Sequence, residues 1–206
     1  MLRIYQDGGD PGQDIVLAGM FEARRQVFVD LLGWDVPVLA GRFEVDQFDD
    51  ENAQYLVLTD SRERHLASAR LLPTMRAHIL GDLYPELCEA APPRGPGIFE
   101  ITRFCLDRGL RASERLLVRN QLVSALVDHA LASGTTRYTG VAELGWLQQI
   151  LAFGWACRPL GVPRVVGGRL LGALSIDIGR DTPSLLARAG IYQPQSVFSG
   201  ERRDAA

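Results

Sequence analysis

Three arginines and a run of carboxylates stand among apolar residues, and their types and spacing mark where chemistry could be done. Arg24 lies three residues after Phe21 and four before Phe28, so it shares their face if the segment is helical. An arginine there must find an anion or reach its head to water. The run Glu44-Val45-Asp46-Gln47-Phe48-Asp49-Asp50-Glu51 is dense in carboxylates, with Phe43 and Phe48 set among them. Its plain reading is a solvated acidic loop. It lacks the glycine and the closing glutamate of a calcium-binding loop. Its other capacity is to offer carboxylates to a cationic ligand, with Phe28 and Trp34 near the same rim giving aromatic faces to a sulfonium or an adenine ring.

Arg70 and the segment Glu100-Ile101-Thr102-Arg103-Phe104 complete the set. Charges in a central strand are expensive unless paired. Strict alternation puts Glu100 and Arg103 on opposite faces, because side chains repeat every two residues and these are three apart. A bulge between them would bring both to one face and free backbone N–H groups for a developing oxyanion. The ladder is therefore expected to break within residues 98–106.

The elements that must position these groups follow from periodicity. Leu17, Phe21, Arg24, Phe28 and Leu31 or Leu32 recur at helical spacing and predict a helix over about 14–32, stopped by Gly33. Residues 35–52 lack a sustained period and read as a long ordered loop, a class usually tied to function. β-like runs at 54–59 and 65–72, separated by a polar turn, predict an antiparallel hairpin closed by Pro73. Residues 98–106 read as a central strand. Beyond it the chain alternates: helix 112–132, strand 137–142, helix 144–153, a short strand near 155–158, strand 169–178 and a terminal helix near 183–189. Such alternation means a layered α/β fold. One domain over 1–206 is expected, with about 199–206 as a polar tail.

Composition narrows the function classes. The 206 residues are 47% hydrophobic, enough to bury one sizeable core. A net charge of -3 gives no general pull toward nucleic acid or an anionic membrane. Cys88, Cys105 and Cys157 are odd in number and far apart, which fits neither a disulfide framework nor close metal-ligand pairs. With no apolar signal core and no uninterrupted apolar run of about 20 residues, a cytoplasmic protein without a membrane span and without a metal is expected. His65, His78 and His129 are isolated from any nucleophile motif, so a hydrolase triad has little support.

Taken in order, Arg24, Phe28 and Trp34, then Glu44, Asp46 and Asp49, then Arg70 in Ala-Arg-Leu-Leu-Pro-Thr, then Glu100 and Arg103 in Glu-Ile-Thr-Arg-Phe resemble the LuxI-type acyl-homoserine-lactone synthase family. The spacings Arg-x3-Phe-x5-Trp, Glu-x-Asp-x-x-Asp and Glu-x-x-Arg-Phe are weak singly and specific together; the likeness thins through Gly154-Trp155. Thr102 stands where serine is common in the family and keeps the hydroxyl. The resemblance implies a three-layer αβα sandwich similar to the GCN5-related N-acetyltransferases, with a mixed central sheet splayed to receive a pantetheine arm. It implies S-adenosylmethionine as a substrate rather than a cofactor, and an acyl thioester on acyl carrier protein or coenzyme A as the donor. The products would be an N-acyl-homoserine lactone, methylthioadenosine and the free thiol.

On that resemblance Arg24, Phe28, Trp34, Asp46, Asp49, Arg70 and Phe104 would bind substrate, and Thr139 would face the acyl chain. An α-amine has a solution pKa of about 7.7 to 8.0 and must lose a proton before attacking a thioester. Glu100 is the first choice of base, through a water, and Glu44 the second; Arg103 would orient the methionine carboxylate or hold the carboxylate network. Thr139 reads equally as a hydrogen-bonding residue for a 3-oxo group or as an ordinary β-branched strand residue. Two other classes stay open: an N-acyltransferase using acyl-coenzyme A, although no Gln/Arg-x-x-Gly-x-Gly/Ala loop is present, and a non-catalytic S-adenosylmethionine-binding module.

Overall fold

The computed structural model describes residues 1–6, 8–12 and 14–194. The expected polar tail lies outside them. The chain opens with strand β1 (Leu2–Tyr5) and then helix α1 (Ile15–Arg24), whose first turn is capped by the Asp14 carboxylate accepting from the Val16 N–H at 2.6 Å. The helix continues to Leu31, as its spacing predicts, but Arg25–Leu31 is a π-helix. Such insertions are rare and are found at functional sites. Gly33, at φ +65°, follows the helix end.

Residues 35–52 are not wholly loop: β2 (Val38–Leu39) and β3 (Phe43–Glu44) form a small antiparallel hairpin within them. Strands β4 (Gln54–Thr59) and β5 (His65–Pro73) make the expected hairpin, followed by the short helix α2 (Ile79–Asp82) and β6 (Ile98–Leu106). Then come α3 (Ala112–Ser133), β7 (Arg137–Glu143), α4 (Leu144–Leu151), β8 (Ala156–Pro159), β9 (Arg164–Val166), β10 (Arg169–Asp177) and α5 (Thr182–Arg188). The elements β1, β9 and α2 are not signalled by periodicity, because three or four residues cannot display one; pairing and packing define them.

The main sheet has eight strands in the order β1-β4-β5-β6-β7-β10-β8, with β9 also on β10. Every pairing is antiparallel except β6 with β7, which run parallel through Ile98–Glu100 and Arg137–Thr139 only. Past that point the two central strands no longer pair.

Alternation along the strands sorts the sheet into two faces. One packs Leu56, Leu58, Tyr138, Leu174 and Ile176 against Leu122, Val123 and Leu126 of α3 and Leu147 of α4. The other packs Tyr55, Val57 and Leu72 under Val16, Leu17, Met20 and Phe21 of α1, with Leu80 of α2 beside Ala173 further along. Helices therefore cover both faces of a mixed sheet, the three-layer αβα arrangement. Among the described residues no helix is long and apolar enough to cross a membrane.

Candidate active site

The three arginines and three of the acids form a closed ring of alternating charge on the α1 face. Arg24 Nε donates to Glu44 Oε2 at 2.6 Å, and its two terminal nitrogens take both Asp49 oxygens at 2.7 Å. Arg70 grips Asp46 at 2.6 and 3.1 Å and reaches Asp49 Oδ1 at 2.7 Å. Arg103 closes the ring, donating to Glu44 Oε1 at 2.9 Å and Asp46 Oδ2 at 2.6 Å. Each arginine touches two carboxylates and each carboxylate two arginines, so the ring carries no net formal charge. The fork of the guanidinium suits such paired contacts.

The acidic run is thus not a solvated loop. Glu44, Asp46 and Asp49 turn inward, while Asp50 and Glu51 are exposed. Asp46 also accepts from the Phe48 N–H at 2.8 Å, and Asp49 from the Asp46 N–H at 2.8 Å, so the carboxylates fold their own loop before they meet the arginines. Arg24 reaches the ring because it shares the buried face of α1 with Phe21, whose ring lies 4.9 Å from its guanidinium.

Arg103 reaches it through a bulge. The β5–β6 register passes from Ser68 opposite Cys105 to Arg70 opposite Thr102, so β6 advances three residues while β5 advances two. Arg103 sits in that extra step at φ +49°, a left-handed conformation uncommon for a side-chain-bearing residue. Thr102 and Arg103 consequently face the same layer, with Thr102 Oγ1 accepting from Arg70 Nε at 2.9 Å. Strained backbone of this kind collects at functional sites.

Burial and charge act against each other in the ring. Burial alone would raise the Asp46 carboxyl, yet Arg70 and Arg103 hold it below its ordinary value; burial likewise opposes ionisation of Asp49, and Arg24 with Arg70 outweighs it. For Arg24, burial is more than offset by Asp49 and Glu44. Arg24, Arg70, Asp46 and Asp49 are thus each held as ions by their neighbours. Tyr55, opposite Arg70 in the hairpin, donates its hydroxyl to Asp49 at 2.9 Å. Residue type alone does not mark Tyr55 out; its place opposite Arg70 in the hairpin register does.

Glu100 lies on the same face but outside the ring. Its oxygens accept from the Leu80 N–H of α2 at 3.0 and 3.2 Å, with the Ile79 N–H adding to that support. Burial pushes this carboxyl up to about 7, an effect that the Leu80 and Ile79 N–H groups only partly offset. Glu44, by contrast, has both oxygens taken by Arg24 and Arg103. Geometry therefore favours Glu100 over Glu44 as a proton acceptor.

Phe28 and Trp34 stack at 4.7 Å beside the ring, with the Arg103 guanidinium 5.4 and 5.5 Å from their centres. Arg169 of β10 joins the pair without any local signal in the sequence. It stands 5.5 Å from the Trp34 ring, donates to the Leu32 carbonyl at 2.5 Å and pairs with Glu143 at 2.7 Å. Phe104 is not brought to this cluster: past the bulge it turns to the opposite face and meets Trp146 of α4 at 5.2 Å. Thr139 is the parallel partner of Glu100 and is buried beside it, apart from the ring. Cys105 is a packing residue whose thiol burial pushes up to about 12.

Known proteins share this arrangement's sequence and fold. The family model described as autoinducer synthase matches residues 13–184. An acyl-homoserine-lactone synthase of Ralstonia nicotianae is 31% identical over 194 residues, spanning 92% of this chain and 95% of the relative. A coenzyme A-dependent acyl-homoserine lactone synthase, BjaI, solved with S-adenosylmethionine and isopentyl-coenzyme A, superposes with a TM-score of 0.81 at 27% identity, covering 96% of this chain and 94% of that one. TofI, solved in a ternary complex with an inhibitor and methylthioadenosine, gives 0.77 at 26% identity, covering 91% and 96%.

Proposed function

This chain belongs to the autoinducer synthase family, and from that premise we propose a task for each part of its buried polar cluster. The chain is an acyltransferase, an acyl-homoserine-lactone synthase. Its substrates are S-adenosylmethionine and an acyl thioester. We place it in the cytoplasm as one domain, a reading supported by its three free cysteines.

The observation that carries the reading is the ring of Arg24, Glu44, Arg103, Asp46, Arg70 and Asp49 beside the stacked pair Phe28 and Trp34. A balanced ring has little anionic charge to spare for a sulfonium, so the aromatic faces do most of the cation recognition. Asp46 and Arg103, with 6% and 7% of their side chains exposed against 0 or 1% for the others, form the edge a substrate meets. Arg24, Arg70 and Asp49 hold that edge in place from behind. The assigned hydrogen bonds of Arg103 all go to Glu44 and Asp46, which favours holding the carboxylate network over gripping the methionine carboxylate directly.

Glu100 takes the proton from the substrate α-amine through a water. A carboxyl near 7 facing an amine near 8 makes that transfer almost balanced in free energy, which suits a general base. The amine nitrogen then bonds to the thioester carbon, the carbon–sulfur bond breaks, and the thiol carrier leaves. In the second stage the methionine carboxylate attacks its own γ-carbon and the sulfonium departs as neutral methylthioadenosine. Positioning dominates this intramolecular step. The donor enters where β6 and β7 stop pairing, between Phe104 on one side and Thr139 and Gly140 on the other.

Incubation of the purified protein with S-adenosylmethionine and a panel of acyl carrier protein and coenzyme A thioesters, read by mass spectrometry, tests the reading. Lactone and methylthioadenosine should appear in equal amounts. Acylation without methylthioadenosine would identify an ordinary acyltransferase, and S-adenosylmethionine binding without turnover a sensor.

A further inference from the structure

Little joins the two halves of the sheet at its centre. β6 and β7 pair only through Ile98–Glu100 and Arg137–Thr139, so past Glu100 the half built from β1, β4, β5 and β6 parts from the half built from β7 to β10. Segment 15–53 carries the stacked aromatic pair and the acids of the ring. Among the described residues a single hydrogen bond joins it to strands β7 to β10: Arg169 Nη2 donates to the Leu32 carbonyl at 2.5 Å. The same guanidinium lies 5.5 Å from the Trp34 ring, and its other terminal nitrogen pairs with Glu143 Oε1 at 2.7 Å.

The second half sets Arg169 firmly. Gly167 and Gly168, at φ +55° and +78°, form the two-residue turn between β9 and β10, and Arg169 opposite Val166 is the first pair of that hairpin. Glu143 ends β7 opposite Leu171, so Arg169, two residues before Leu171, meets it diagonally on the same face. Trp34 is the looser partner. It follows Gly33, which has open space around it. Its backbone N–H is tied to the Phe28 carbonyl at 2.8 Å, but its indole Nε1 is buried without a hydrogen-bond partner. Ring contacts with Phe28, Arg103 and Arg169 orient the indole instead. The Leu32 carbonyl belongs to the helix end, where acceptors lack intrahelical donors and a cation is favoured.

We propose that Arg169, braced by Glu143, is a positioning residue that couples the two substrates: it ties Trp34 to β7 and β10, so that a thiol carrier lodged between β6 and β7 fixes the indole and tightens S-adenosylmethionine binding. This rests on the reading that Trp34 lines the S-adenosylmethionine pocket and that the donor enters where the central strands part. A group inserted there bears on β7, and Arg169 is the bond through which β7 and β10 act on the helix end. By linkage, S-adenosylmethionine tightens carrier binding by the same factor. The Arg169 and Glu143 side chains are 32% and 45% exposed, so salt should loosen the brace.

Calorimetry of S-adenosylmethionine binding, alone and with saturating coenzyme A or holo-acyl carrier protein, tests the coupling. Both probes carry the pantetheine thiol without an acyl group, so nothing turns over. The Kd of the wild-type protein for S-adenosylmethionine should fall at least about fivefold with one of them. In Arg169→Ala that factor should drop below about twofold, and Arg169→Lys, which cannot fork between Leu32 and Glu143, should lie between. Salt at about 0.5 M should reduce the factor in the wild-type protein and not in Arg169→Ala. In turnover, Arg169→Ala should raise the KM for S-adenosylmethionine several-fold more than it lowers kcat. Its melting temperature should change by less than about 4 °C, because the ion pair it loses is partly exposed, so lost coupling is not lost folding. An equal factor in Arg169→Ala and the wild-type protein, or no coupling with either carrier in the wild-type protein, overturns the proposal. Unchanged S-adenosylmethionine binding in Trp34→Ala would overturn the pocket on which it rests. Weaker binding in Trp34→Ala with unaltered coupling in Arg169→Ala removes this inference alone.

Discussion

Arg103 and Thr102 are neighbours in sequence and yet face the same layer, and this one departure from alternation lets the Arg103 guanidinium reach Glu44 at 2.9 Å and Asp46 at 2.6 Å. A regular strand would have sent it into the α3 side of the sheet. The positive φ at Arg103 is the conformational cost of closing the ring.

Arg103→Ala should therefore lower kcat by more than about tenfold, since Asp46 at the substrate edge and Glu44 behind it lose their shared cation. Arg103→Gly relieves the backbone but removes the same charge, so it should be as inactive while melting at a higher temperature than Arg103→Ala. Steady-state kinetics and thermal melts of the two variants check this. Near-wild-type turnover in either would remove Arg103 from the site.

Breaking the ring from behind should act mainly on stability. Asp49→Asn leaves Arg24 and Arg70 buried without a shared anion, and the expected loss is about 3 to 5 kcal/mol, read from denaturant unfolding. The pH dependence gives a second check. Asp46 and Asp49 have depressed folded-state values, so their contribution is present above the ordinary carboxylate value of 3.8 and is lost as pH falls through the lower folded values. The acid limb of the wild-type stability curve should be shallower in Asp49→Asn.

Glu100 behaves in the opposite sense. Its carboxyl is raised from 4.5 to about 7, so the unfolded chain releases the proton first and stability declines as pH rises between those values. Activity should follow the ionised form, with kcat/KM climbing through about 7. Glu100→Gln should lower turnover by more than about tenfold and flatten both profiles. A pH–rate profile unchanged by that substitution would exclude Glu100 as the base.

Trp34→Ala removes one face of the stacked pair and the ring between Arg103 and Arg169. Its expected effect is a rise of about tenfold in the KM for S-adenosylmethionine, with a smaller effect on the acyl donor. Calorimetry with S-adenosylmethionine alone separates binding from turnover. Equal effects on both substrates would place Trp34 at the shared reaction centre instead.

Much of this protein was legible from residue types and their periods. The helix carrying Arg24, the hairpin carrying Arg70 and the strand carrying Glu100 and Arg103 all declare themselves, because elements of six residues or more repeat their pattern often enough to be read. The need for a bulge followed from a spacing of three in a lattice of two. That Arg24 needs an anion or water, and that Glu100 and Arg103 need partners in their strand, followed from the expense of burying charge; that the acidic run turns inward to meet the arginines did not. Tertiary structure alone decided which arginine takes which acid, that Phe104 turns away from the ring, and that Arg169 reaches Trp34. Those relations join residues far apart in the chain, and they depend on strand order and register, which the packing of the whole sheet sets and no local pattern encodes.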